Sequence, residues 1–218
     1  MHRYPSGFRT PEGEAEYIDA YNATLALWPV PFDSQEVNTR CGLTHIIVSG
    51  PTGAPPLFLL HGMNLSATMW FPNVAGLAQR YRVYAVDTIG SASRSVASRP
   101  LKKRAEFADW LDDVCDELGI ACTHMVGHSH GGWIALNYAL SAPERVKRLI
   151  LLAPAGVAGA SGHTVLCQRY PDTLVPSSPS HHKLHSMDDC GGICRQRAIC
   201  RAIPSRGETL QVPDQNTP

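Results

Sequence analysis

The sequence predicts an α/β fold, a mostly parallel sheet with helices on both faces. Two apolar runs of strand length, Leu57 to Leu60 and Leu149 to Ala153, are continuous rather than alternating, as strands covered on both faces require. Segments of this kind alternate with helix-like segments from residue 57 to 153, the pattern of stacked βαβ units. With 218 residues, 44% hydrophobic and 17% charged, the chain is long and apolar enough to bury a core of ordinary domain size. In such sheets ligand chemistry gathers at the C-terminal ends of the parallel strands.

The elements follow in order. Residues 12 to 28 place Ala15, Ile18, Ala20, Tyr21, Leu25 and Trp28 on a loose helical period that ends before Pro29. An extended stretch follows, with Thr44 to Val48 as its clearest strand, and Gly50-Pro51-Thr52-Gly53 reads as a turn. Leu57 to Leu60 is then a buried strand, residues 66 to 79 a helix, and Tyr81 to Asp87 a strand. Residues 104 to 118 form an amphipathic helix, its apolar face carrying Phe107, Trp110, Leu111, Val114, Cys115 and Leu118. The acidic residues opposite, Glu106, Asp109, Asp112, Asp113 and Asp116, read as a solvated face. Thr123 to Gly127 is the next strand, a helix runs from about Gly131 to Ala142, and Val146 to Ala153 is read as another buried strand.

Charge and cysteine content narrow the partners. Nineteen Lys and Arg balance nineteen Asp and Glu, so no global field favours nucleic acid or an anionic membrane surface. No apolar run approaches the length of a membrane span, and no apolar stretch behind Met1 to Pro5 suggests a secretory leader. Seven cysteines, an odd number without framework spacing, point to a reducing, cytoplasmic setting.

The chemistry is concentrated at Gly127-His128-Ser129-His130-Gly131, a G-x-S-x-G motif followed by Gly132. A strand that turns sharply into a helix raises its serine hydroxyl above the sheet. Side chains two positions before and two after that serine would collide, which calls for Gly127 and Gly131. The helix N-terminus beneath supplies unpaired N–H groups for developing negative charge. Here the motif follows a β-branched apolar strand and opens a helix, the context in which it carries meaning.

Three further motifs accompany it in order. His61-Gly62 follows the strand ending at Leu60, Asp87-Thr88-Ile89-Gly90 follows the next, and Pro143-Glu144-Arg145-Val146 leads into the last. As a set, residues 4 to 156 resemble bacterial α/β-hydrolases of the carboxylesterase type. The resemblance implies Ser129 as nucleophile and an oxyanion hole made by the backbone N–H groups of Met63 and His130. It casts His61, Gly62, Gly127 and Gly131 as supports of those motifs, and Asp87 as a turn-fixing residue. It implies a small-molecule ester substrate, and the chemistry needs neither a metal nor an organic cofactor. C–C bond hydrolysis or cofactor-free haloperoxidase chemistry would use the same residues.

Residues 157–218 have a different character. From Ser161 onward the chain holds six of its 17 prolines, four of its seven cysteines and four of its ten histidines, with neither strand nor helix periodicity. A serine nucleophile needs a histidine held by a carboxylate, in the chain order Ser, acid, His. No strand, lid, acid or histidine of that kind is identifiable here. Asp172 followed by His181, His182 and His185 has the order but not the spacing. Zinc binding by His181, His185, Cys190, Cys194 and Cys200 is disfavoured by irregular intervals. The tail is expected to be an irregular segment, read as out-of-frame replacement of the family's C-terminal third. The alternative function is a non-catalytic truncated hydrolase fragment or pseudoenzyme that binds a ligand or partner. Substrate identity and oligomeric state are not legible.

Overall fold

The computed structural model describes residues 8 and 10–156. The segment at 157–218, and with it every acid, histidine and cysteine considered there, lies outside the described residues. Helix α1 (Pro11–Leu25) begins at the Thr10 cap, whose hydroxyl accepts the Gly13 N–H at 3.1 Å. A hairpin follows, β1 (Phe32–Thr39) antiparallel to β2 (Gly42–Ser49). Strand β3 (Pro56–Leu60) leads through a 3₁₀ turn at Ala67–Trp70 into α2 (Phe71–Leu77), and β4 (Arg82–Val86) comes next. The two-residue β5 (Val96–Ala97) pairs with β2. Then come α3 (Arg104–Glu117), β6 (Thr123–His128), α4 (His130–Ser141) and β7 (Val146–Leu152).

The strand order is β1-β2-β4-β3-β6-β7, with β4, β3, β6 and β7 mutually parallel. Chain order departs from β3 in both directions, to β4 on one side and β6 on the other. A crevice opens at such a switch point, beyond the strands' C-terminal ends. Val86, Leu60 and Gly127 lie in register there, so the residues just after them share one rim.

Burial on both faces follows from the apolar runs. Phe58 and Leu60 pack with Trp110, Leu111 and Val114 of α3 and with Ile134 and Tyr138 of α4. Leu57 and Leu59 point the other way, to Tyr21 and Leu25 of α1 and to Trp70 and Val74. Each of the four strand residues is at most 4% exposed, contributing roughly 1.5–3 kcal/mol apiece relative to exposure. The acidic face of α3 is paired as well as solvated. Arg40 chelates Asp113 through Nε and Nη2, and Arg145 reaches Asp112 and Asp116.

Two expectations are corrected. The helix expected over residues 66–79 is a 3₁₀ turn plus a seven-residue α-helix, because Pro72 fits only the first turn of a new helix. Strand β7 is not buried on both faces. It ends the described sheet, Leu149 packs toward the core, and Ile150 (53%) and Leu152 (42%) are exposed on the other side.

Candidate active site

Ser129 sits between β6 and α4 with φ 50° and ψ −113°, a left-handed conformation that a side chain disfavours. Strain of this kind costs on the order of 1–3 kcal/mol and persists only where the surroundings over-determine it. Three hydrogen bonds do so here. The Ser129 N–H donates to the Leu152 carbonyl at 2.9 Å, and the Ser129 carbonyl accepts the N–H groups of Trp133 at 3.1 Å and Ala155 at 2.9 Å. The end of β7 therefore braces the turn from one side.

Glycines brace it from the other. A Cβ on Gly127 would stand 2.5 Å from the Gly131 carbonyl oxygen, and one on Gly131 would stand 2.3 Å from that of Leu60 and 2.6 Å from that of His61. These are backbone atoms that cannot swing away. With no Cβ there, the first turn of α4 lies directly on the end of β3. His130, the first residue of α4, is thereby brought beside the loop that carries Gly62 and Met63. The opening N–H groups of a helix have no acceptor within it.

His61 is 1% exposed, and both ring nitrogens are engaged. Nδ1 donates to the Gly62 carbonyl at 2.8 Å, and Nε2 accepts the Thr88 N–H at 2.9 Å, which fixes the neutral tautomer. Burial holds its pKa below the usual histidine range. The ring thus ties the loop after β3 to the turn after β4. Gly62 is pressed against His128, since a Cβ there would stand 2.7 Å from the His128 Nδ1. Met63 is half-buried, and Asn64 turns the chain with φ 58°.

The histidines flanking Ser129 differ. His130 is 7% exposed, stacked on Trp133 (centroids 5.6 Å, 12°) and edge-on to Phe107 at 5.7 Å. Burial, and then the neighbouring His61, push its pKa down to about 4, so it is neutral and weakly basic at pH 7. His128 is half-buried, and its Nδ1 has no hydrogen-bond partner among the described residues.

Asp87 is fully buried. Its Oδ1 accepts the Ala67 N–H at 2.8 Å, and its Oδ2 accepts the Tyr21 hydroxyl and the His45 Nδ1, each at 3.0 Å. Burial raises the carboxyl's pKa, but the hydrogen bond from His45, with help from His61 and the Ala67 N–H, brings it below the usual carboxylate range. These bonds fix the turns after β3 and β4.

The structure therefore gathers Ser129, His130, Gly127, Gly131, His61, Gly62 and Met63 at the adjoining ends of β3 and β6. The alternative acid and bases, Asp172, His181, His182 and His185, lie outside the described residues. Sequence reasoning missed the bracing by Leu152 and Ala155, and the His45 and Tyr21 contacts to Asp87. One signal for the latter was present: a histidine opening the apolar run Ile46-Ile47-Val48 needs a polar partner once buried. Among the described residues no group of three His, Cys, Asp or Glu side chains is arranged to hold a metal ion. None of their helices is long and apolar enough to cross a membrane.

An elbow of this geometry on a sheet of this order defines an α/β-hydrolase, and the chain belongs to that family. The family described as the alpha/beta hydrolase fold matches residues 55–178. Among individual proteins, the chain is 45% identical over 148 residues to Carboxylesterase YbfK of Bacillus subtilis, an alignment covering 68% of this chain and 50% of that one. It is 49% identical over 139 residues to an uncharacterized carboxylesterase, nap, of the same organism, covering 64% and 46%. The crystal structure of naproxen esterase (carboxylesterase NP) from B. subtilis superposes with a TM-score of 0.64 at 44% identity, covering 71% of this chain and 52% of that one. The chain thus spans about half the length of the curated relatives it matches.

Proposed function

We propose that this chain is the nucleophile-bearing part of a carboxylic ester hydrolase, acting through an acyl-enzyme on Ser129. The observation that carries the reading is the backbone of Ser129 itself, held at φ 50° by bonds from β7 and α4. In the reaction, the Ser129 hydroxyl attacks the ester carbonyl carbon and loses its proton to a base. The oxyanion is met by the N–H groups of Met63 and His130, each contributing about 3 kcal/mol in typical cases. The alcohol leaves with a proton, and water then releases the acid. Gly62, Gly127 and Gly131 permit the close approach that forms the hole, and His61 anchors its loop.

The substrate class is a small-molecule ester, in line with the carboxylesterase relatives, and neither nucleic acid nor a membrane is required. The chemistry runs without metal or organic cofactor. The odd, unframed cysteine set favours the cytoplasm as the compartment. Residues 1–156 are read as the hydrolase core, and the family match extends beyond them as far as residue 178.

Hydrolysis of p-nitrophenyl butyrate by the full chain tests the reading. Ser129→Ala is expected to remove all steady-state turnover above the uncatalysed rate, leaving at most one acylation per chain at another serine, and steady-state turnover that survives it overturns the proposal.

A second reading rests on a specific observation. His130 is packed and weakly basic, His61 has both nitrogens engaged, and Asp87 has both oxygens engaged. On that ground the chain would be a non-catalytic fragment or pseudoenzyme using the crevice to bind. It predicts saturable binding of an ester analogue with no Ser129-dependent product. Loss of the histidine alone has cost on the order of a millionfold in turnover in another serine hydrolase.

A further inference from the structure

A second hydrogen-bonded serine, histidine and aspartate stand on the opposite side of β3 from Ser129. Ser34, on the edge strand β1, is exposed, and its Oγ lies 3.3 Å from Nε2 of His45. His45 is 2% exposed, and its Nδ1 lies 3.0 Å from Oδ2 of the fully buried Asp87. The ionised carboxylate only accepts, so in the neutral ring the proton sits on Nδ1 and the Nε2 lone pair faces the Ser34 hydroxyl. Four strand spacings, roughly 19 Å, separate β1 from β6, so this serine is remote from the elbow.

The arrangement is held from several sides. The Asp87 N–H donates to the His45 carbonyl at 3.0 Å, the His45 N–H donates to the Ser95 Oγ at 2.9 Å, and the Ser95 hydroxyl donates to the Asp87 carbonyl at 2.7 Å. The Tyr21 hydroxyl donates to the same carboxylate oxygen as His45. The imidazole is therefore fixed in orientation, as a general base acting on one hydroxyl requires. Turn-fixing accounts for the Ala67 and Ser95 bonds, but it does not require a free imidazole nitrogen aimed at an exposed hydroxyl.

We propose that Ser34 is a second nucleophile, activated by His45 and oriented by Asp87, that captures acyl groups from small activated acyl donors. The Ser34 Oγ forms a bond to the carbonyl carbon while its proton passes to His45 Nε2. The bond to the leaving oxygen breaks with its electron pair, and the proton is then lost from His45 to solvent or to the leaving group. The product is an acyl-Ser34, and no oxidant, metal or cofactor enters the balance. The claim is independent of the chemistry at Ser129.

The test uses the full chain carrying Ser129→Ala, p-nitrophenyl acetate as donor, and peptide mass to follow acetylation at each serine. A positioned base contributes on the order of a hundredfold or more, so acetylation of Ser34 is expected at least about 100 times faster than that of the exposed Ser98. His45→Gln, with its fold checked by circular dichroism, should bring Ser34 to the Ser98 rate. Where that variant fails to fold, the parent in urea serves instead, and the two rates should converge on unfolding. Equal rates in the folded protein, or a Ser34 rate untouched by His45→Gln, overturn the proposal.

Discussion

Two places on the same rim are made rigid by opposite means. At the ends of β3 and β6 the geometry depends on missing side chains: Gly127 and Gly131 let backbone meet backbone, and Ser129 is held in a strained conformation by main-chain bonds. Just past the end of β4, against the middle of β2, it depends on side chains that are present: Tyr21, His45 and Asp87 form a buried cluster around one carboxylate. The first device leaves the Ser129 hydroxyl without a hydrogen bond to any of the described residues. The second commits the groups it uses, and only the Ser34 end of His45 faces outward. His61 joins the two, since it takes the Thr88 N–H beside Asp87 and holds Gly62 beside the elbow.

Breaking the first device should have the largest effect. Gly131→Ala puts a methyl group 2.3 Å from the Leu60 oxygen, and a backbone shift of that size costs about 3 kcal/mol or more. Urea unfolding should show a midpoint lowered accordingly, or no cooperative transition. Breaking the second comes next. Asp87→Asn keeps the shape but removes the charge that receives three donors, and a loss of about 2–3 kcal/mol is expected in the same assay.

Acid should sharpen the contrast by titrating both places. His130 has its folded pKa lowered to about 4, so between pH 6.5 and 4 the unfolded chain binds a proton that the folded chain does not. Stability from this group is full above the unfolded value and falls with acidification, by about 2 kcal/mol at pH 5. His61, also lowered, acts in the same direction. Asp87, depressed as well, contributes stability above its unfolded value near 3.8 that is lost as pH falls through its folded pKa. His130→Phe retains an aromatic ring against Trp133 and should flatten the pH 5–7 part of the stability profile measured by thermal melts.

The smallest effect has the opposite sign. Gly76 in α2 is exposed and has open space around it, so Gly76→Ala should raise stability by about 0.5–1 kcal/mol. A loss on that substitution would show that the Gly76 side of α2 is packed rather than open.

Strands buried on both faces were legible because burial dictates continuous apolar runs: β3, β4 and β6 fall within a residue of where Leu57, Val83 and Met125 place them. The elbow was legible because steric conflict permits glycine alone at Gly127 and Gly131. Strand β1 was not, since Phe32–Thr39 is mostly polar and exposed and is a strand by virtue of pairing with β2. Strand β7 was legible as a strand but not in its exposure, which depends on what lies beside it rather than on its own Leu149 to Leu152. The Asp87 cluster joins residues 42 and 66 positions apart, and no local period encodes such a contact.

The most direct measurement is labelling of the purified full chain with a fluorophosphonate, read by peptide mass, with Ser129→Ala as control. A phosphonyl group is expected on the Ser129 peptide, and Ser129→Ala is expected to abolish the label on that peptide while leaving any label on the Ser34 peptide in place. A folded sample that takes up none at Ser129 would contradict the proposed function, and would mark the elbow as architecture without an activated serine.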